Sequence, residues 1–113
     1  MMIESYNFGR IVIDGQTYRS DVVIHPHGVR DRWRRRSGHR LLPEDLEGVL
    51  EAGAETIIVG TGKMGLMQVP DETREWLESR GLEVIVERTD QACETYNRLS
   101  QEGPVIAALH LSC

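Results

Sequence analysis

Two apolar runs in the chain, Val22-Val23-Ile24 and Ile57-Ile58-Val59, carry no polar alternation. A strand buried on both faces reads this way, as does a piece of buried helix; the β-branched residues and the glycines after Val59 favour the strand. Ahead of these, residues 8–13 and 16–24 flank Asp14-Gly15. A two-residue Asp-Gly turn between β-branched runs predicts an antiparallel hairpin, because both central residues need φ > 0. The apolar end of its second arm predicts that the hairpin joins the main sheet, and His25-Pro-His-Gly28 ends it. The apolar pattern then lapses until about Leu42. Within that arginine-rich stretch only Val29 and Trp33 are apolar, so Trp33 is expected to plug a hydrophobic gap while the guanidinium groups stay outside.

The rest alternates helix and strand. Pro43, Glu44 and Asp45 suit a first helical turn, and Leu46, Val49 and Leu50 recur at helical spacing up to Gly53. A second helix is expected over residues 70–80, with Trp76 and Leu77 inward. Leu82, Val84 and Val86 alternate with Glu83, Ile85 and Glu87, the mark of a half-exposed strand near an edge. Thr89 is placed to cap a third helix carrying Ala92, Cys93, Tyr96 and Leu99 on one stripe, and residues 105–111 form a last strand after Pro104. The expected fold is a β-hairpin followed by αβαβαβ: a compact three-layer α/β domain, residues 1–113, with a mixed central sheet of about five strands.

Charge changes the picture at one place. The chain has 113 residues and a net charge of −5, the composition of an ordinary soluble protein with one modest core. Arg30, Arg32, Arg34, Arg35, Arg36 and Arg40, less Asp31, put +5 within residues 30–40, so the remainder carries −5 − 5 = −10. There is no apolar run long enough to cross a membrane and no basic-then-apolar leader, and two cysteines make no disulfide framework. The expected address is the cytoplasm.

The candidate chemistry centres on Gly60-Thr61-Gly62-Lys63-Met64-Gly65, which satisfies G-x-G-x-x-G after a strand, with Glu87 about twenty residues on. In a dinucleotide site those glycines open a helix. Here Leu66 to Val69 intervene before Pro70, a residue that suits a helix start and damages a helix interior. No helix is therefore expected between Thr61 and Gly65; residues 67–69 should run extended and the next helix start near Pro70. That leaves a turn whose amides, with Lys63 and the neighbouring Arg88 and Thr89, form a candidate site for a small anion. Arg30, Arg32, Trp33, Arg34, Arg35, Arg36 and His39 form the candidate partner-binding loop. Nucleic acid is the weaker reading of that loop, given the acidic chain and few aromatic residues. His25/His27 and His110/Cys113 lack the four-ligand pattern of a structural zinc site, and a catalytic zinc would need a third ligand such as His39, so no metal and no cofactor is expected. No nucleophile with its base is visible, and no catalytic residue is assigned.

Asp21-Val-Val-Ile24, Trp33, Gly38-His39, Ile58-Val-Gly-Thr-Gly62, Thr89-Asp-Gln-Ala92, Tyr96-Asn97 and His110-Leu-Ser-Cys113 together resemble, in order and spacing, the Mth-type domain family. This is a small α/β family of unknown function whose eukaryotic members include a mitochondrial complex I assembly factor and an adipogenesis-associated protein. The resemblance covers nearly the whole chain. It implies a three-layer fold with a mixed sheet and no established reaction, and its shared residues carry no assigned role. The six-arginine loop is denser than the family pattern. The function expected is a non-catalytic interaction or assembly module, with an anionic-metabolite site or enzyme at the glycine turn as the alternative and nucleic-acid contact through the arginine loop as a second alternative.

Overall fold

The computed structural model describes residues 1–50 and 53–113. Strands β1 (Ile3–Asn7), β2 (Arg10–Ile13) and β3 (Gln16–Tyr18) form a small antiparallel sheet. Asp14 and Gly15 turn between β2 and β3 with φ of 49° and 80°, as the Asp-Gly signal requires. The main sheet is built from β4 (Val22–His25), β5 (Gly28–Arg30), β6 (Thr56–Thr61), β7 (Glu83–Glu87) and β8 (Val105–His110) in the order β5-β4-β8-β6-β7. β6 runs parallel to both β7 and β8, while β4 is antiparallel to β8 and β5. Helices α1 (Asp71–Ser79) and α2 (Thr89–Leu99) supply the crossovers.

Side-chain parity along the strands sorts the core into two layers. Val22, Ile24, Ile58, Ala107 and Leu109 meet Ala92, Cys93 and Tyr96 of α2 and Ile3, Ile11 and Ile13 of the small sheet. Val23, Ile57, Val59, Ile106 and Ala108 point the other way, onto Leu77 of α1 and onto Trp33, Leu41, Leu46 and Met67. The mixed five-strand sheet is thus covered on both faces, which explains runs with no polar alternation. β7 lies at the edge with Val84, Ile85 and Val86 half-buried, as its alternation predicts.

Three expectations need correction. The hairpin does not join the main sheet: its second arm breaks between Tyr18 and Val22, so β3 and β4 belong to different sheets. The break ends at Asp21, whose carboxylate accepts the Leu111 amide at 2.8 Å from across the fold. The arginine-rich stretch is not without structure, since the His-Pro-His-Gly segment turns the chain back into β5, with His25 opposite Gly28. The helix expected from Pro43 to Gly53 is a single 3-10 turn, Pro43–Asp45, followed by turns through Val49. Its carboxylate, Asp45, accepts the Leu42 and Arg36 amides at 2.8 and 3.0 Å, tying the segment to the loop. Residues 51 and 52 of that expected helix lie outside the described residues.

Candidate functional site

β6 and β8 are parallel neighbours, so their carboxyl ends open on the same side of the sheet, where open α/β folds place their sites. The glycine turn leaves β6 there without starting a helix; Met67 to Val69 run extended, Gln68 bridging Arg40, and α1 begins at Asp71 after Pro70. The glycines therefore open no helix of their own, as a dinucleotide fingerprint would; the helix N-terminus beside the turn is that of α2, whose Thr89 amide donates to the Gly62 carbonyl at 3.1 Å.

The turn grips a segment of its own chain. The Lys63 amide donates to the Ser112 carbonyl at 3.1 Å and the Leu66 amide to the Cys113 carbonyl at 3.2 Å. The Gly62 amide donates to Thr89 Oγ1 at 2.8 Å, and that hydroxyl donates to the His110 carbonyl at 2.6 Å. Gly60 to Gly65, Arg88 and Thr89 are brought together as expected, with Gly65 packed on the Arg88 stem. Four amides of the turn, those of Gly62, Lys63, Gly65 and Leu66, are nevertheless already committed within the chain. Lys63 itself lies over the Tyr6 ring, 5.4 Å from its centroid.

Thr89 is not the helix cap: Arg88 holds the cap position, and Thr89, fully buried, is the first residue of α2. Its hydroxyl is instead the rivet between turn and β8. Thr89→Val keeps the shape but strands the Gly62 amide and the His110 carbonyl, so it is expected to cost about 1–3 kcal/mol in urea unfolding. Thr89→Ser should recover most of that. A Val variant as stable as wild type would remove the rivet from the account.

Beside the rivet stands a buried polar cluster. Asp21 Oδ2 lies 2.8 Å from Arg35 Nη1 and 2.8 Å from His110 Nδ1, and Oδ1 accepts the Leu111 amide. Arg35 also donates to the Gly38 carbonyl at 3.0 Å and lies over the Trp33 ring. Burial alone would raise the Asp21 pKa, but the hydrogen bonds from His110, Leu111 and Arg35 together outweigh it and hold the carboxyl below its usual value. Arg35 is thus an exception to the expectation that the guanidinium groups stay outside: its side chain is only 5% exposed. Trp33 is buried as expected, its Nε1 donating to the Asp45 carbonyl at 3.0 Å.

Arg30, Arg32, Arg34 and Arg36 are exposed, and with Trp33 and Arg35 they line an open basin of about 560 Å³, closed on the far side by Glu44, Asp45, Gly48 and Val49. His39 is not in this basin. It stands edge-on to His110, with ring centroids 6.4 Å apart.

The family model described as a protein of unknown function (DUF498/DUF598) matches residues 3–110. The chain belongs to this family. A conserved hypothetical protein of Pyrococcus horikoshii OT3 is 32% identical, with a TM-score of 0.90 and complete coverage of both chains. A Bordetella pertussis protein described as a Mth938-like domain is 22% identical, with a TM-score of 0.74 over 97% of this chain and 85% of that one; this likeness concerns the fold alone. The human protein named NADH dehydrogenase [ubiquinone] 1 alpha subcomplex assembly factor 3 is 33% identical over 111 residues, 96% of this chain and 59% of that protein. The chain therefore spans about three-fifths of that curated relative. Among the described residues of this DUF498 chain, no helix is long and apolar enough to cross a membrane.

Reading the DUF498 chain as a sequence missed Asp21 as a site residue. A single acid at the head of an apolar strand is its only local sign, and its three partners come from segments 14, 89 and 90 residues away. Asn97 was also without a role. It accepts the Ile3 amide and donates to the Ile3 carbonyl, both at 2.8 Å, fastening the small sheet to α2.

Proposed function

We propose that this chain is a protein-assembly module, without turnover of its own, that docks an acidic surface of a partner protein in the arginine basin. The observation that carries this reading is the basin itself. Four exposed arginines surround a floor held by Trp33 and the buried Arg35–Asp21 pair, in a chain whose residues outside 30–40 sum to −10. The loop is anchored from beneath, so its charges are presented on a prepared surface. Such a patch steers association and selects partners by complementary charge. The human relative named as an assembly factor supports the same reading.

The test reverses charge only where the side chains are exposed: Arg32→Glu, Arg34→Glu and Arg36→Glu together. Arg35 stays, because its loss would disturb the fold. Affinity isolation from native extract should recover a stoichiometric protein with wild type and lose it with the triple variant. With that protein in hand, the association rate should fall about 10-fold or more at low salt, with dissociation little changed. Recovery of no protein by wild type, or of the same protein equally by both chains, argues against the module.

A further inference from the structure

We propose that His39, His110 and Cys113 form a three-ligand site for a zinc-class metal ion, with the fourth position facing solvent. The ligand atoms of these three residues all lie within 4.8 Å of one another. A tetrahedral Zn²⁺ bound at ~2.0–2.3 Å holds its nitrogen and sulfur ligands roughly 3.3–3.7 Å apart. His39 is exposed, so its ring is free to rotate toward the other two ligands.

The state of His110 is the independent observation. Its Nδ1 sits 2.8 Å from Asp21 Oδ2 and 3.0 Å from Arg35 Nη2. The carboxylate only accepts, and the two Arg35 nitrogens already donate to Asp21 and Gly38, so the shorter contact, Nδ1–H donating to Asp21, places the proton on Nδ1. Nε2 then presents a lone pair. That atom is buried and, among the described residues, has no hydrogen-bond partner. A buried acceptor left unpaired is costly, and a carboxylate–histidine pair with the far nitrogen free is the arrangement that orients a metal-binding imidazole and raises its basicity.

The surrounding contacts hold the other two ligands in place. The Gly38 carbonyl accepts from Arg35 and the His39 carbonyl from the Gln68 amide at 2.7 Å, so the backbone carrying His39 is held on both sides. Cys113 is held by the glycine turn through Lys63 and Leu66. Two imidazoles and a thiolate suit Zn²⁺ and disfavour Mg²⁺ or Ca²⁺, which select oxygen ligands. Binding forms the metal–sulfur bond as the Cys113 thiol proton leaves to solvent. None of the three ligands lines the arginine basin, and partner capture and metal binding can succeed or fail independently.

The experiment uses the purified chain without a polyhistidine tag. Equilibrium dialysis should give one Zn²⁺ per chain. Co²⁺ as a probe should show the d–d intensity of a four-coordinate ion and a thiolate-to-Co²⁺ charge-transfer band. Cys113→Ser should abolish that band and weaken Zn²⁺ binding at least ~10-fold, and His39→Ala should weaken binding similarly while keeping the band. Both changed side chains lie at the surface or partly exposed, and their urea midpoints should match metal-free wild type. Zn²⁺ should also slow iodoacetamide alkylation of Cys113 at least ~10-fold. Cys93 is an internal control that stays unlabelled throughout: it is buried, and that burial, with Asp90 and Glu94, pushes its thiol up to about 12. Wild-type binding no tighter than that of a chain carrying both His39→Ala and Cys113→Ser, or a Co²⁺ adduct lacking the thiolate band, overturns the site whatever the variants do to stability.

Discussion

Replacing Asp21 with Ala is expected to lower the unfolding free energy by about 3–5 kcal/mol, the largest loss of any single polar substitution in this chain. The reason is what the change leaves behind. Arg35 is 95% buried and holds Asp21 at 2.8 Å, so without the carboxylate its charge is stranded. The Leu111 amide and His110 Nδ1 lose their acceptor in the same step. Such a loss is a large share of the ~5–15 kcal/mol that holds a domain together. Arg35→Met added to Asp21→Ala should recover part of it, because the uncompensated charge goes, although the guanidinium contact with the Trp33 ring goes with it. A denaturant double-mutant cycle reads both effects. A loss under ~1 kcal/mol, the scale of an exposed pair, would show that the cluster is not the buried linchpin described above.

Gly62→Val is expected to cost about 2–6 kcal/mol, the sum of two penalties of roughly 1–3 kcal/mol each. One is conformational: Gly62 has φ of +108°, where a β-branched residue is strained. The other is steric, since a Cβ would stand 2.4 Å from the Ser112 carbonyl oxygen and 2.7 Å from the Cys113 carbonyl carbon. Both neighbours are backbone and cannot swing aside like a side-chain tip. The local signature is specific. Amide exchange at Lys63 and Leu66, whose acceptors are the Ser112 and Cys113 carbonyls, should accelerate even where the chain stays folded. Gly38→Ala, at an exposed position with open space around its Cβ, should stay within about 0.5 kcal/mol of wild type. Unchanged exchange at Lys63 and Leu66 in a folded Gly62→Val chain would mean that the turn does not grip the following segment.

The role of the glycine turn follows from these contacts. Its lack of side chains admits the Ser112–Cys113 backbone, its amides hold that segment, and Thr89 locks it to the end of β8. A pattern that mimics a nucleotide fingerprint here serves backbone-to-backbone approach. The same requirement for a close approach without a Cβ produces glycine in both settings.

What the sequence by itself determined is the part governed by local rules and periodicity. Apolar runs marked β4 and β6, alternation marked the edge strand β7, helical spacing marked α2, and Pro70 placed the start of α1. Each signal is written within about ten residues, because side-chain direction alternates along a strand and recurs every 3.6 residues along a helix. The arginine loop was legible too, since a cluster of like charges needs no fold to be seen. Only the tertiary structure decided which arginine is buried, where the hairpin breaks, and that Asp21, Arg35, His39, His110 and Cys113 share one corner. Those residues come from three separate segments, and the order β4-β8-β6 is what sets them side by side. Packing both faces of the sheet fixes that order, and a polar contact made across 75 or 89 residues leaves no periodic trace in the chain.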